Sequence, residues 1–152
     1  MKSGYSKWRK LDNAALAFPP ATDKNDTRVF RMYCELTEEI SPQILQDALD
    51  RTMEKYPLFQ VVLRKGLFWF YLERRDIRAV AKEEKKPPCS RLYIPDKKSL
   101  LFEVSYYENR INFEVYHALT DGTGARNFLQ ELVQNYLLLR HPEAGLPHIK
   151  TE

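Results

Sequence analysis

The chain reads as an α/β protein of the α+β kind: a two-layer sandwich with a mixed, largely antiparallel sheet and helices packed on it. Three observations predict this. Segments that alternate polar and apolar residues outnumber helical ones. The later strand segments come in pairs joined by short turns, as antiparallel neighbours do. Two amphipathic helical segments each run up to a proline. A length of 152 residues suits one domain, spanning 1–152, with a real core.

Residues 1–27 are weakly patterned and read as an arm. Leu11, Ala14, Ala15, Leu16 and Phe18 offer apolar groups to a core, and Pro19-Pro20 ends the segment. Arg28 to Thr37 alternates clearly. Phe30, Met32, Cys34 and Leu36 share one face, and Arg31, Tyr33 and Glu35 the other, as in a half-buried strand. Ser41-Pro42 then supplies an N-cap and a proline at the first helical position. Ile44, Leu45, Ala48, Leu49, Met53 and Tyr56 follow at helical spacing until Pro57.

Residues 58–74 predict a hairpin. Phe59, Val61 and Leu63 alternate inward, Lys65-Gly66 turns, and Phe68, Phe70 and Leu72 alternate back. Leu67, Trp69 and Tyr71 make the second strand apolar on its other face too, which implies cover on both sides. The run Lys82 to Lys86, closed by Pro87-Pro88, reads as an exposed connection, with short strands allowed around Ile77 to Ala81 and Leu92 to Ile94. From Ser99 the alternation returns. Leu100, Phe102, Val104 and Tyr106 form one strand face, and Asn109-Arg110 the turn. Ile111, Phe113, Val115 and His117 share a face of the returning strand, while Asn112, Glu114 and Tyr116 point the other way. After Asp121-Gly122, Phe128, Leu129, Leu132, Val133, Tyr136 and Leu137 mark a helix that stops before Pro142. Residues 141–152 read as a loose tail.

Composition narrows the function. Apolar residues make up 43% and charged residues 30%, an ordinary globular balance. A net charge of +3 is too small to argue for nucleic acid, and Lys2, Lys7, Arg9 and Lys10 read as a solvated cluster. No apolar run approaches a membrane span, and no apolar segment follows the basic N-terminus as in a signal peptide. Cys34 and Cys89 form neither a disulfide framework nor metal-ligand spacing, so a reducing cytoplasm is the simplest compartment. Cys34 reads as a small core residue. Cys89 has no base nearby in sequence, which argues against a nucleophile. His141 and His148 lie in the tail and read as solvated. Neither a metal cluster nor a phosphate-binding glycine loop is present in the sequence.

The stretch from His117 to Gly122 carries the chemistry. Parity puts the His117 imidazole on an apolar strand face, where desolvation favours the neutral ring that a general base needs. Asp121 follows at the turn, able to orient the loop, cap the helix or hold a cation. Gly122 and Gly124 relax the backbone between strand and helix. On the residues alone, a packed structural histidine followed by a turn and an N-cap is the stronger account of the pattern.

His117, Asp121 and Gly122, set between a strand and a helix, match the His-x-x-x-Asp-Gly signature. In this the chain resembles the chloramphenicol-acetyltransferase-like acyltransferases, which include plant acyltransferases, condensation domains of peptide synthetases and alcohol acetyltransferases. The wider stretch from Phe113 to Ala125 is most similar to the alcohol-acetyltransferase and condensation-like branch, and Leu11-Asp12-Asn13 resembles the start of that fold. The resemblance implies acyl transfer from a coenzyme A or carrier-protein phosphopantetheine thioester to a hydroxyl or amine, with no permanently bound cofactor. It implies His117 as the general base and a structural Asp121 paired with an arginine, for which Arg28 and Arg31 are candidates. It implies Gly122 as the residue that permits the turn.

Two departures matter. Condensation domains often carry a second histidine just before the catalytic one; here Tyr116 stands there, which favours simple acyl transfer over peptide-bond synthesis. The second half of long members carries a motif of the Asp-Phe-Gly-Trp-Gly type, and this chain has none. The resemblance is therefore to an N-terminal half. It implies that a further half or a second subunit completes the channel, and that an open apolar surface drives self-association, for instance as a homodimer. A non-catalytic binding or assembly module and an unrelated α+β domain are the rival readings.

Overall fold

The computed structural model describes residues 8–10, 27–94 and 98–144. The fold is α+β, with mixed sheets and helices packed on them, as the alternation and periodicity imply. Strands β2 (Val29–Glu35), β7 (Arg110–Tyr116), β6 (Phe102–Tyr107) and β5 (Lys82–Glu83) form one sheet in the order β2-β7-β6-β5. Its neighbours are antiparallel except the parallel β5–β6 edge. A second sheet, in the order β1-β4-β3, joins β1 (Trp8–Lys10) to the hairpin of β3 (Val61–Lys65) and β4 (Phe70–Arg74). Part of the expected arm is thus a strand, with Trp8 registered opposite Glu73. The helices are α1 (Pro42–Lys55) and α2 (Gly122–Arg140). The expected docking of Leu11 to Phe18 lies outside the described residues, as does His148.

β7 is the centre of the larger sheet. It is paired along its full length with β2, from Val29 opposite Tyr116 to Glu35 opposite Arg110, and with β6 on its other side. On one face, Ile111, Phe113 and Val115 are fully buried. The Phe113 ring stacks on Phe128 of α2 at 4.6 Å, and Phe128 in turn stacks on Phe59 at 5.1 Å. Phe102 closes in at 5.5 Å and Tyr56 at 5.1 Å. Four rings, from β6, β7 and the chain just after α1, therefore meet around Phe128 of α2.

Polar groups fix the two helices against each other. Asn135 Nδ2 donates to the Thr52 hydroxyl at 3.0 Å, and that hydroxyl donates to the Ala48 carbonyl at 2.7 Å. Lys55 reaches the buried Glu131 at 3.0 Å. The Tyr136 hydroxyl accepts from the Ser41 N–H at 2.9 Å. Ser41 holds the N-cap position of α1 with extended backbone, but its side chain makes no capping bond. Its backbone bond to Tyr136 ties down the start of α1 instead.

The other sheet face is buried as well. Asn112, Glu114 and Tyr116 point away from the helices, yet segment 84–93 covers them: Tyr93 lies 5.8 Å from Tyr116, and the Cys89 N–H donates to Glu114 at 2.8 Å. The run expected as an exposed connection therefore carries an edge strand and a cover. The short strands allowed at 77–81 and 92–94 do not form.

Turns also shift. The first hairpin turns through the four residues Gly66 to Trp69, not Lys65-Gly66 alone, so Leu67, Phe68 and Trp69 leave the ladder. The second turns through Glu108-Asn109, one residue earlier than expected, with Glu108 at φ 51°. A positive φ at the first turn position matches the twist of a two-residue hairpin, and glutamate accepts it at some cost. His141 is not a solvated tail residue: its N–H closes α2 on the Leu137 carbonyl, and its ring contacts Glu38 at 2.5 Å.

Phe128→Ala is expected to cost about 3–5 kcal/mol, a large part of the total stability of a domain this size. Urea unfolding checks it: the midpoint falls while the slope is unchanged.

Candidate active site

The ladder sets the position of the motif. The Tyr116 N–H donates to the Leu101 carbonyl at 2.8 Å, and the His117 N–H donates to the Arg28 carbonyl at 2.9 Å. The Leu119 N–H then closes a turn on the Tyr116 carbonyl at 2.9 Å. Ala118 and Leu119 are buried beneath this turn, 7% and 6% exposed. β7 thus ends one residue before the alternation would place His117 inward. His117 stands exposed on the turn, its ring 4.4 Å from Phe30 and tilted 43°. The expectation of an inward, desolvated imidazole is not met. Alternation held only while the chain stayed in the ladder.

Asp121 is the N-cap of α2. Its backbone is extended, its Oδ1 accepts from the Gly124 N–H at 2.8 Å, and its carbonyl accepts the first helical bond from Ala125. This satisfies one of the orphan donors at the helix start. Among the described residues Asp121 makes no ion pair, so the arginine partner expected for it is not found there. Gly122 does not have the role expected of it: its φ is not left-handed, and a Cβ built there meets nothing within 4 Å. Gly124 is the tight position, since a Cβ there would lie 2.0 Å from the Thr120 hydroxyl and 3.4 Å from Asp121 Oδ1.

Arg31 is engaged elsewhere. It binds Glu114 at 2.5 Å and Glu84 at 2.8 Å on the second sheet face. Arg110 and Asn112 also donate to Glu84, at 2.8 and 3.3 Å. Burial works against the Arg31 cation, but hydrogen bonds to Glu114 and Glu84 outweigh it and raise its pKa. Burial likewise opposes ionisation of Glu84, yet the bonds from Arg31 and Arg110 hold its carboxyl below the usual range. A sequence signal for half of this existed: Arg31 and Glu114 are cross-strand partners in the β2–β7 register. Glu84 sits in the charged run and carried no such signal.

Both thiols are pushed up by burial. Glu35 adds to this for Cys34, which is only half-buried rather than a core residue, and Glu114 does so for Cys89. Neither is tuned as a nucleophile. Among the described residues no group of His, Cys, Asp and Glu is placed to hold a metal ion.

The sequence also gave no hint of a cavity of about 350 Å³ at the β5–β6 edge. Val80, Leu92, Leu100 and Phe102 floor it, and Lys82, Lys86, Arg91 and Lys98 line it. Glu103 also lines it, 3.7 Å from Lys86. None of its lining residues belongs to the His117 turn, so it is not the pocket of the motif.

No protein-family model matches the chain, and no curated protein matches it in sequence. Solved structures match it in fold. The starter condensation domain of the rhizomide synthetase RzmA is similar at TM-score 0.72 and 12% identity, over 94% of this chain and 40% of that one; a mutant of it has been solved in complex with C8-CoA. The first condensation domain of the calcium-dependent antibiotic synthetase, in complex with substrate analogue 2a, gives 0.67 and 14%, over 95% and 40%. Polyketide synthase associated protein 5 from Mycobacterium tuberculosis gives 0.64 and 19%, over 95% and 36%. The chain therefore has the fold of one part of these proteins and spans about 40% of the length of the condensation domains it matches. No helix among the described residues is long and apolar enough to cross a membrane.

Two outcomes are expected. Asp121→Ala removes the cap and costs about 1 kcal/mol, read by urea unfolding. The second concerns acid. Glu84 titrates lower folded than unfolded, so its stabilisation is complete above the unfolded carboxyl value, about 4.3, and is lost as pH falls through its lowered folded value. Wild-type stability should therefore fall more steeply below about pH 4.3 than that of Glu84→Gln. Equal slopes would remove Glu84 from the account.

Proposed function

We propose that this chain is the N-terminal half of an acyltransferase that takes an acyl group from a coenzyme A or carrier-protein thioester and passes it to a hydroxyl or amine. One observation carries the reading: His117 stands exposed on a turn held by ladder bonds and buried side chains, at the head of the helix capped by Asp121. The likeness to condensation domains supports it at the level of fold.

In this reading a nitrogen of neutral His117 accepts the proton of the acceptor O–H or N–H as the oxygen or nitrogen attacks the thioester carbonyl. The C–S bond then breaks, and the departing thiolate takes that proton back from the imidazolium. The balance needs no resident cofactor or metal. Asp121 acts through the backbone, setting where α2 starts and so how the turn sits. A Cβ at Gly122 would meet nothing within 4 Å, so the start of α2 is open to an approaching substrate there. The opposite wall of the channel comes from a further domain or a second copy of the chain. The host's cytoplasm, where acyl thioesters are made, is the proposed compartment.

Condensation-type transfer to an amine is the second reading, favoured by the solved neighbours. Tyr116 contributes no reacting group to it, being fully buried on the far face of the sheet. A non-catalytic assembly module is the third, favoured by the fraction of each neighbour that the chain covers.

The test is thiol release from acyl-coenzyme A in the presence of alcohol or amine acceptors, using the native gene product. His117→Ala should lower kcat by about 10²- to 10⁴-fold with little change in KM. An unchanged rate ends the general-base assignment. A well-folded wild type without turnover across a panel of thioesters supports the assembly module.

A further inference from the structure

The tip of the β3–β4 hairpin has no role in the reading above. Leu67 is 94% exposed, Phe68 87% and Trp69 49%. Three consecutive large apolar side chains in water are rare on a soluble surface and mark an interaction site. The tip has a defined shape. The Gly66 N–H donates to the Trp69 carbonyl at 2.7 Å, the Phe68 and Trp69 rings lie 6.5 Å apart, and the hairpin below is anchored by buried Val61, Val62, Leu63 and Leu72.

The charge around the tip identifies the occupant. Lys65 precedes the turn, with its ammonium 5.9 Å from the Phe70 ring. Arg64 follows one residue further down, sharing Glu73 with Arg75. From Val61 to Arg75 the hairpin holds Arg64, Lys65, Arg74 and Arg75 against Glu73 alone. Apolar and aromatic groups at a tip with cations behind them match the layering of a bilayer surface, where acyl chains lie beneath anionic headgroups. A second copy of the chain would bring the same cations to the contact, where they repel; an anionic surface attracts them.

We propose that this hairpin is a membrane-docking element, which seats Leu67, Phe68 and Trp69 in the interfacial layer of an anionic bilayer with Lys65 and Arg64 at the headgroups. The contact is peripheral and needs no spanning segment. It stands apart from the acyltransferase reading, since neither requires the other.

Co-sedimentation of the full chain with vesicles tests it, comparing phosphatidylcholine alone with phosphatidylcholine mixed with phosphatidylglycerol. Wild type should bind the anionic vesicles at least about tenfold more tightly, and added salt should weaken that binding. The double variant Leu67→Ser, Phe68→Ser should lose binding by about tenfold or more without a change in thermal unfolding, because both side chains already stand in water. Lys65→Gln should weaken it by about fivefold. The proposal is overturned if wild type ignores anionic vesicles, or if the double variant binds them as well as wild type. It is overturned equally if the double variant abolishes a wild-type dimer and leaves vesicle binding intact, which would make the tip a self-association surface.

Discussion

The stack of Phe113 on Phe128 is the contact on which the rest of the structure depends. It joins the central strand to the long helix at 4.6 Å, in the same cluster as Phe59, Phe102 and Tyr56. Because close-packed rings resist small displacements, this cluster fixes the path that the chain takes from β7 into α2. The His117 turn lies on that path, between a strand pinned on both sides and a helix pinned at its first turn by Asp121. The histidine is therefore held firmly without being buried.

Elements with a strong period were legible from sequence: β2, α1, β6, β7 and α2 all fall where alternation or helical spacing places them. The failures came where a side chain's environment depends on distant chain. The pattern places Phe68 and Leu67 in a strand because nothing local says that a hairpin turns through four residues rather than two. Parity places His117 inward because it assumes a continuing ladder, and the ladder stops at Tyr116. The charged run implies a solvent-facing Glu84, because acidic and basic residues in a run normally are; its burial depends on Arg31 and Arg110, far off in sequence. Ser41 and Gly122 fit familiar motifs, but the capping bond is absent at the first, and the steric need falls on Gly124.

The Arg31, Glu114 and Glu84 network explains why both faces of the larger sheet are closed in so short a chain. One face has α1 and α2. The other has irregular chain, held down by Tyr93 on Tyr116 at 5.8 Å and by ion pairs and hydrogen bonds, with Arg31 joining β2, β7 and the segment after β5. Such pairs offset their own desolvation rather than adding much net stability, so their main effect is on register and position. Arg31 cannot serve this network and also steady Asp121, which relies on the helix backbone.

An imidazole in open solvent is a weak acyl-transfer catalyst, because water competes with the acceptor for the thioester and screens the developing charge. The turn supplies position, and position is only part of the requirement; a dry channel is the rest. The Phe30 ring lies against the imidazole at 4.4 Å and covers one side of it. The condensation domains that share this fold are more than twice as long, since 94–95% of this chain covers 40% of theirs. In the proposed acyltransferase reading, catalysis by His117 depends on a wall docking against this turn. In that reading the docking must exclude water from the imidazole and still leave the acceptor a way in, so shape at the turn decides whether the chemistry proceeds.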